Sequence, residues 1–551
     1  MSAAPEAPDA FVRVVRAHLP DPGWRIDRAG PWTHVAPPDA SLQAQGWKIH
    51  LSAVPSSAER VLDRAVPVLV TAGCPFKFAA SAGEVARLTG RHADRGSAGK
   101  FLTVYPPDDD GLPDLARALD EATGGLTGPR ILSDRPYRPG GLVHFRFGGF
   151  VRELRLAANG VYEPVVAAPD GTRVADRREA WFEPPPWAPP NPFPEPQEPQ
   201  SGKPAPRGVL IGDRYLLRGA IRHANKGGVF RATDQETGEE VVVKQARAHV
   251  EVRSGGGDVR DLLRNEARML ERLAATGLVP EVRALIELPE HAFLVVRAVE
   301  GVPLAVHLQR LHRTGRPDPD AVRQAMDRLV DLVAAVHREG VVIRDLTPSN
   351  VLVRDDGELR LIDLELAGVP AEDVVPGGSP GYAAPEQWTA RRTTTAADLH
   401  SLGMVLFALA TGAEPVLLED ERDPRDRIAG WLARAARDNE LAAEFAPLIL
   451  GLTEPDPARR LTLAGVRGTT PVRETRSTPD DLGRLLDDGL TYLIGSGGRG
   501  LDPDAGAEPG TERWWPADAF GATTDPCAVY YGAAGILAVL AAARHHRPGP
   551  E

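Results

Sequence analysis

Ile343-Arg344-Asp345-Leu346-Thr347-Pro348-Ser349-Asn350 constrains this chain more than any other stretch. An Asp that follows an Arg and precedes an Asn by five residues sets a proton acceptor beside a metal ligand. A second acid, Asp363, follows in Leu361-Ile362-Asp363-Leu364-Glu365. One base and two oxygen ligands for a hard cation are the parts that phosphoryl transfer needs, since that reaction asks for position and charge more than for covalent chemistry. An Arg-Asp dipeptide alone also fits an ordinary polar turn, so the remaining segments decide the reading.

Upstream, Val241-Val242-Val243-Lys244 is a β-branched run that reads as a strand ending in a cation. Leu262, Leu263, Met269, Leu270 and Leu273 mark one stripe of a helix, and Glu266 falls three or four residues from most of them. A carboxylate on an apolar face calls for a buried cation, and Lys244 is the expected partner. Downstream come Ala384-Pro385-Glu386, Asp398-Leu399-His400-Ser401-Leu402-Gly403 and Asp456-Pro457-Ala458-Arg459-Arg460. With these in order, residues 208–472 resemble the protein kinases. The resemblance implies a bilobal domain that uses ATP, or another nucleoside triphosphate, with Mg2+. It also implies roles: Lys244 and Glu266 for the nucleotide phosphates, Gly227, Gly228 and Val229 for the loop above them, Asn350 and Asp363 for the metal, and Asp345 as base. Departures are visible too. Asn225-Lys226-Gly227-Gly228-Val229 replaces a loop of three spaced glycines, and Ile343 stands where His is usual, a position that mainly packs. Thr347 replaces a lysine that many serine/threonine kinases keep near the transferred phosphate, and Glu365 replaces the glycine after the metal-binding Asp.

Nearer the start, Trp47-Lys48-Ile49-His50-Leu51-Ser52-Ala53 alternates, which places Lys48, His50 and Ser52 on one face of a strand. A solvated strand face fits that pattern as well as a site does. Lys77 lies in Cys74-Pro75-Phe76-Lys77-Phe78-Ala79-Ala80, where apolar flanks would desolvate it and lower its pKa toward that of a base; a lysine snorkelling from an edge strand is the alternative. Arg95-Gly96-Ser97-Ala98-Gly99-Lys100-Phe101-Leu102-Thr103-Val104-Tyr105, then Ser133-Asp134-Arg135 and His144-Phe145-Arg146, add further cations. Converging guanidinium and ammonium groups make a pocket for a dianion. A polyanion is disfavoured as the target, because the formal net charge is −12 and no basic run is present, which argues against nucleic acid.

Residues 40–155 resemble the phosphothreonine lyases on these segments. The resemblance implies phosphate contacts from Lys48, Arg95 and Arg146, with Lys100, Arg135 and Tyr105 nearby. It implies Lys77 as the base that removes the Cα proton and His50 as the acid that protonates the departing phosphate. The order of the two domains, with the Gly-Gly-Val loop, Lys244-Gln245-Ala246-Arg247 and Asp-Leu-Glu, resembles the class III and class IV lanthipeptide synthetases, built as lyase, kinase and cyclase. From that follow an α+β multidomain fold and a division into residues 1–182 (lyase-like), 183–207 (linker), 208–472 (kinase-like) and 473–551 (the start of an α-toroid cyclase). The implied substrate is a ribosomally made precursor peptide with Ser, Thr and Cys in its core. A signalling kinase fused to a lyase, and an inactive peptide-binding module, are the other readings.

Roughly half of residues 183–206 are proline, as in a semi-rigid spacer. The opening residues lack a charged and apolar export signal, and Cys74 and Cys527 are the only cysteines, so a reducing cytoplasm is expected. Cys527 to Ala543 is uncharged but short and rich in Ala and Gly, which reads as a buried helix, not a membrane span. Gly532-Ala533-Ala534-Gly535-Ile536-Leu537-Ala538 resembles the first cyclase helix, and Leu482 to Ile494 reads as a helix leading into it. The late zinc ligands of a full toroid are not present, so no zinc site is expected and the cyclase reads as incomplete. His545 and His546 read as ordinary tail residues.

Overall fold

The computed structural model describes residues 10–20, 23–193 and 208–468 apart from 152, 158–159, 161, 180, 254, 314–317 and 418–421, and beyond them 487, 489–494, 515 and 533–546. The chain divides into two compact units, one drawn chiefly from Pro5–Thr89 and Ala93–Glu198 and the other chiefly from Pro199–Thr478.

The first unit is built on an antiparallel sheet of seven strands. They are β1 (Arg25–Ala29), β2 (Trp32–Ala36), β3 (Gln45–Leu51), β4 (Phe76–Ala79), β5 (Leu102–Val104), β6 (Arg135–Pro136) and β7 (Val143–Gly149), in the order β1-β2-β4-β5-β3-β7-β6. One face is apolar because the strands alternate: Trp47, Ile49 and Leu51 of β3 and Phe145 and Phe147 of β7 are all buried. That face is covered by helices such as α2 (Ala58–Thr71), whose buried Val61, Leu62, Ala65, Val66 and Leu69 repeat at helical spacing. Phe182 and Phe193 also pack here, the latter stacked on Phe145 with centroids 3.9 Å apart. The segment expected to act as a spacer from residue 183 therefore carries core side chains as far as 193. Residues 194–207 lie outside the described residues.

The second unit has the two lobes expected. A six-stranded antiparallel sheet includes β12 (Tyr215–Ala224), β13 (Gly227–Asp234), β14 (Glu240–Arg247) and β16 (His291–Arg297). Helix α5 (Val259–Leu273) lies against it, started by an Asp258/Asp261 capping box and burying Leu262, Leu263, Met269, Leu270 and Leu273. The helical lobe centres on α8 (Ala396–Thr411), which is buried on all sides from Ala397 to Ala410 and so belongs at the middle of a core. Ile343 is fully buried, in keeping with a packing position.

Of the C-terminal segment, residues 489–494 are helical and a further helix spans Ala533–His546. Leu537 and Val539 are exposed on it, so the expectation of a buried helix is not met. Cys527 and most of 473–551 lie outside the described residues, and an α-toroid is not established. Among the described residues no helix is long and apolar enough to cross a membrane.

Candidate active sites

Register makes the first site. Lys77 on β4 and His50 on β3 both stand opposite Thr103 on β5, and His50 also faces His144 on β7. Directly opposed residues project to one side of a sheet. At about 4.8 Å per strand the Lys77 and His50 backbones are about 10 Å apart, a gap that two side chains close from opposite ends. One row along, Lys48 stands opposite Arg146. This face is not solvated: Lys48, His50, Lys100, Asp134 and Arg146 each expose 6% or less.

Buried charges need partners, and Asp134 and Asp176 supply them. His50 Nδ1 lies 2.6 Å from Asp134 Oδ2; a carboxylate only accepts, so Nδ1 carries the proton and Nε2 is left to meet a ligand. The Lys100 ammonium stands 3.2 Å from Asp134 Oδ1, to which Ser133 Oγ also donates at 2.8 Å. Asp176 accepts from Arg146 at 2.6 and 3.3 Å, and Arg178 approaches it at 3.7 Å. Lys48 donates to the Gly149 carbonyl at 2.7 Å. Four cations here face two carboxylates. Burial, then Arg146, holds Lys48 well below the ordinary lysine range. Burial pushes Lys100 down to about 8, with Asp134 opposing. Burial likewise pushes His50 down to about 3 against the pull of Asp134, so the imidazole is neutral until a negative charge arrives. Against burial, Lys100 and His50 hold Asp134 well below the usual carboxylate range. Cations destabilised by one another are what a pocket for an anion presents.

The remaining residues expected here fare differently. Tyr105 is buried edge-to-face on Phe150, and burial pushes its pKa up while Arg178 draws it the other way, so the phenol stays a donor close to Arg178. Arg95 is half-buried, in a segment pressed against Arg178: a Cβ on Gly96 would lie 2.7 Å from Arg178 Cβ and 2.9 Å from its carbonyl oxygen. Arg135 is a correction. It pairs opposite Phe145, which puts it on the apolar face, where its guanidinium sits 6.0 Å from the Phe182 ring. Alternation also corrects the setting of Lys77, since Phe76 and Phe78 point to the other face. Its ammonium rests 4.7 Å from the Trp32 ring. Asp134, Asp176 and Arg178 have no recognisable signature in the sequence; Asp134 was visible only as the neighbour of Arg135.

The second site assembles as its motifs imply. Lys244 forms an ion pair with Glu266, donates to the Ile362 carbonyl at 2.8 Å and stands 3.7 Å from Asp363. Against burial, Asp363 and Glu266 hold Lys244 above the ordinary lysine range. Asp345 accepts from the Ser379 amide at 3.0 Å through one oxygen and from Asn350 Nδ2 at 3.0 Å through the other. Burial raises its pKa, although the Ser379 hydroxyl pulls it down, which suits a base. The loop is held by Asp398, fully buried, which accepts from the Ile343 and Arg344 amides at 2.8 and 2.7 Å. That anchorage keeps Arg344 at φ +64°, an unfavourable value for a side-chain-bearing residue. Arg460 pairs with Glu386 at 2.6 and 2.9 Å, joining two of the downstream signatures.

Val229 stands opposite Lys244 and so shares its face, while Gly227 and Gly228 open β13 at the hairpin above the site. Asn350 and Asp363 fit Mg2+: both offer hard oxygen donors, and Asn350 turns its Nδ2 to Asp345, leaving Oδ1 for a metal. Among the described residues no group of three or more His, Cys, Asp or Glu is placed to hold a metal on its own.

Comparison with known proteins matches two successive stretches of the chain to two families. Residues 12–204 match the family described as RamC, N-terminal domain, and residues 221–469 match the protein kinase domain. The chain is 36% identical over 451 residues to a probable SapB synthase of Streptomyces coelicolor, covering 79% of this chain and 46% of that protein. It is 27% identical over 310 residues to a putative CBL-interacting protein kinase 27 of Oryza sativa, covering 54% and 72%. To the serine/threonine-protein kinase PknL of Mycobacterium bovis it is 30% identical over 212 residues, covering 38% and 51%. The chain thus spans about half the length of the synthase it resembles over both domains. A RamC N-terminal domain followed by a protein kinase domain fits the architecture of the class III/IV lanthipeptide synthetases, which this chain resembles.

Proposed function

We propose that this chain dehydrates Ser and Thr of a ribosomally made precursor peptide in two steps, phosphorylation in the kinase site and elimination in the first domain. Asp345 accepts the proton of the substrate hydroxyl as its oxygen attacks the γ-phosphorus of the nucleotide, and Lys244, oriented by Glu266, holds the remaining phosphates. Mg2+ bound by Asp363 and Asn350 would neutralise charge on the phosphate oxygens.

In elimination, Lys77 leaves the Trp32 face and gives its ammonium proton to solvent, and the free amine takes the Cα proton; that electron pair becomes the Cα=Cβ bond as the Cβ–O bond breaks. The phosphate departs with the bonding pair and receives a proton from His50 Nε2. Lys48, Arg146, Lys100 and Arg178 surround it, with Arg95 and Tyr105 at its edge. His50 is neutral in the empty pocket, so binding of the phosphorylated residue has to bring its proton. Two negative charges among these cations raise the imidazole pKa and draw the proton in. The observation that carries the reading is this neutral, Asp134-held histidine on one sheet face with a lysine two strands away.

The domain limits proposed are a first domain through residue 193, where its core ends among the described residues, and a kinase domain over 208–472. Formation of lanthionine or labionin rings is assigned to a complete cyclase. Mass spectrometry of a Ser/Thr/Cys-containing precursor incubated with enzyme, ATP and Mg2+ tests the scheme. Loss of water is expected, and dehydration that proceeds without nucleoside triphosphate would sink it.

A further inference from the structure

Two departures from the protein-kinase pattern, the Asn225-Lys226 turn and Glu365, far apart in sequence, meet above the nucleotide site. Ala224 and Gly227 stand opposite each other, so the turn between β12 and β13 is only Asn225-Lys226. Arg247, 4% exposed, ties it down: its amide donates to the Lys226 carbonyl at 2.8 Å, and its guanidinium to the Asn225 carbonyl and Oδ1, both at 2.9 Å. Gln245 Oε1 accepts from the Gly228 amide at 3.2 Å. Gly227 has φ +151°, and a Cβ there would lie 1.9 Å from the Gln245 carbonyl oxygen, so the hairpin lies flat on β14 and only glycine allows it.

Pinned through the Asn225 and Lys226 carbonyls and the Gly228 amide, this loop is held down on β14 and not left free to wrap around phosphates. What it extends over the site is an ammonium. Lys226 Nζ lies 2.6 Å from Glu365 Oε2, the residue found in place of the glycine after the metal-binding Asp. The Glu365 amide in turn donates to Asp363 Oδ1 at 3.4 Å, which sets the Lys226–Glu365 pair beside the metal ligand. On the catalytic loop the position of the usual lysine is Thr347, which carries no charge.

We propose that Lys226 is a catalytic residue that replaces the absent lysine at position 347, paired with Glu365 until a nucleoside triphosphate arrives and then moved onto its γ-phosphoryl group. The proposal deepens the kinase reading and rests on it. As the substrate oxygen bonds to the γ-phosphorus, the bond to the β–γ bridging oxygen breaks, its electron pair stays with the diphosphate, and the hydroxyl proton passes to Asp345. Lys226 keeps its proton throughout and neutralises the transferring oxygens, while Glu365 keeps its second cation, Arg91, at 3.0 Å.

Lys226→Ala is expected to slow peptide phosphorylation about 100-fold, the range for removing one charge-stabilising donor at a transferring group. Calorimetric titration separates this from misfolding. Mg·ADP should bind the variant as it binds the unaltered chain, whereas a non-hydrolysable ATP analogue with Mg2+ should bind about tenfold more weakly, the loss of one charge-assisted contact. Lys226→Arg should keep most of the rate, and Lys226→Ala with Thr347→Lys should recover much of it by returning the charge to the catalytic loop. A Lys226→Ala rate near that of the unaltered chain, or equal losses of affinity for the diphosphate and the triphosphate analogue, would overturn the proposal. If the unaltered chain phosphorylates no peptide, the kinase reading fails but titration still decides. A preference for the triphosphate that Lys226→Ala removes supports Lys226, and its absence from both proteins rejects it.

Discussion

The two pockets set similar side chains in opposite electrostatic settings. In the first domain Lys48 and Lys100 are buried among other cations and their pKa values fall. In the kinase domain Lys244 is buried among carboxylates and its pKa rises. Burial alone would lower all three, so the sign is decided by the neighbours. The first pocket has an excess of positive charge, which the proposed phosphate would balance. In the second, Asp363, Glu266 and Glu365 act on the strand lysine Lys244, a balance that the Mg2+ carried in with a nucleotide would complete. Each charge balance anticipates its ligand.

The sharpest way to break the comparison is to neutralise one charge in each pocket and follow the peptide by mass. Asp345→Asn should reduce phosphorylation by about a thousandfold or more, leaving the peptide mass unchanged, because the proton acceptor is gone. Dehydrated product at near-normal rate from that variant would remove Asp345 from the mechanism. Asp134→Asn should leave phosphorylation intact and slow elimination by about 10²–10⁴-fold, since an amide no longer enforces the proton on His50 Nδ1 or balances Lys100. Phosphorylated peptide should accumulate, and its absence would show that Asp134 is dispensable.

A smaller effect reads the charge excess directly. Inorganic phosphate should raise the unfolding temperature of the full chain, by the equivalent of about 2.7 kcal/mol at a hundred times its Kd. Binding near pH 7 should take up protons, detected as a heat that depends on buffer ionisation. The sign follows from His50, whose pKa in the folded chain is about 3 against 6.5 unfolded. Between those values the unfolded chain binds more protons, so stability is lost as pH falls from about 6.5 toward 3, and the lowered pKa values of Asp134 and Asp176 act in the same direction. Phosphate should offset the loss, and protection that vanished on Lys48→Ala would locate the ion. The smallest effect is expected from Arg135→Ala: elimination within about twofold of normal and a stability loss of about 0.5–1 kcal/mol from the ring contact.

The two sites also differed in how far their residues could be read along the chain. The kinase groups lie in short motifs whose geometry is local. The octet carrying Asp345 and Asn350 is one loop, and Glu266 sits at helical spacing from Leu262, Leu263, Met269 and Leu270. In the first domain the roles depend on which strands pair. His50 and Lys77 were visible as chemistry-bearing residues, but their common row depends on β5 lying between β3 and β4. Arg135 was misplaced for the same reason, because a one-residue change of register moves a side chain to the opposite face. Asp176 and Arg178 come from a segment with no periodic signal and enter only through tertiary packing.

Sequence by itself determined the order of the two domains, the kinase motifs and the presence of a cation-rich first domain, because each is written in residues near one another in the chain. Tertiary structure alone decided which cations share a face, which acids hold them, and that Lys226, Arg247 and Glu365 form one device. Those outcomes rest on strand register and on contacts between distant segments, and neither is encoded in any single stretch of the chain.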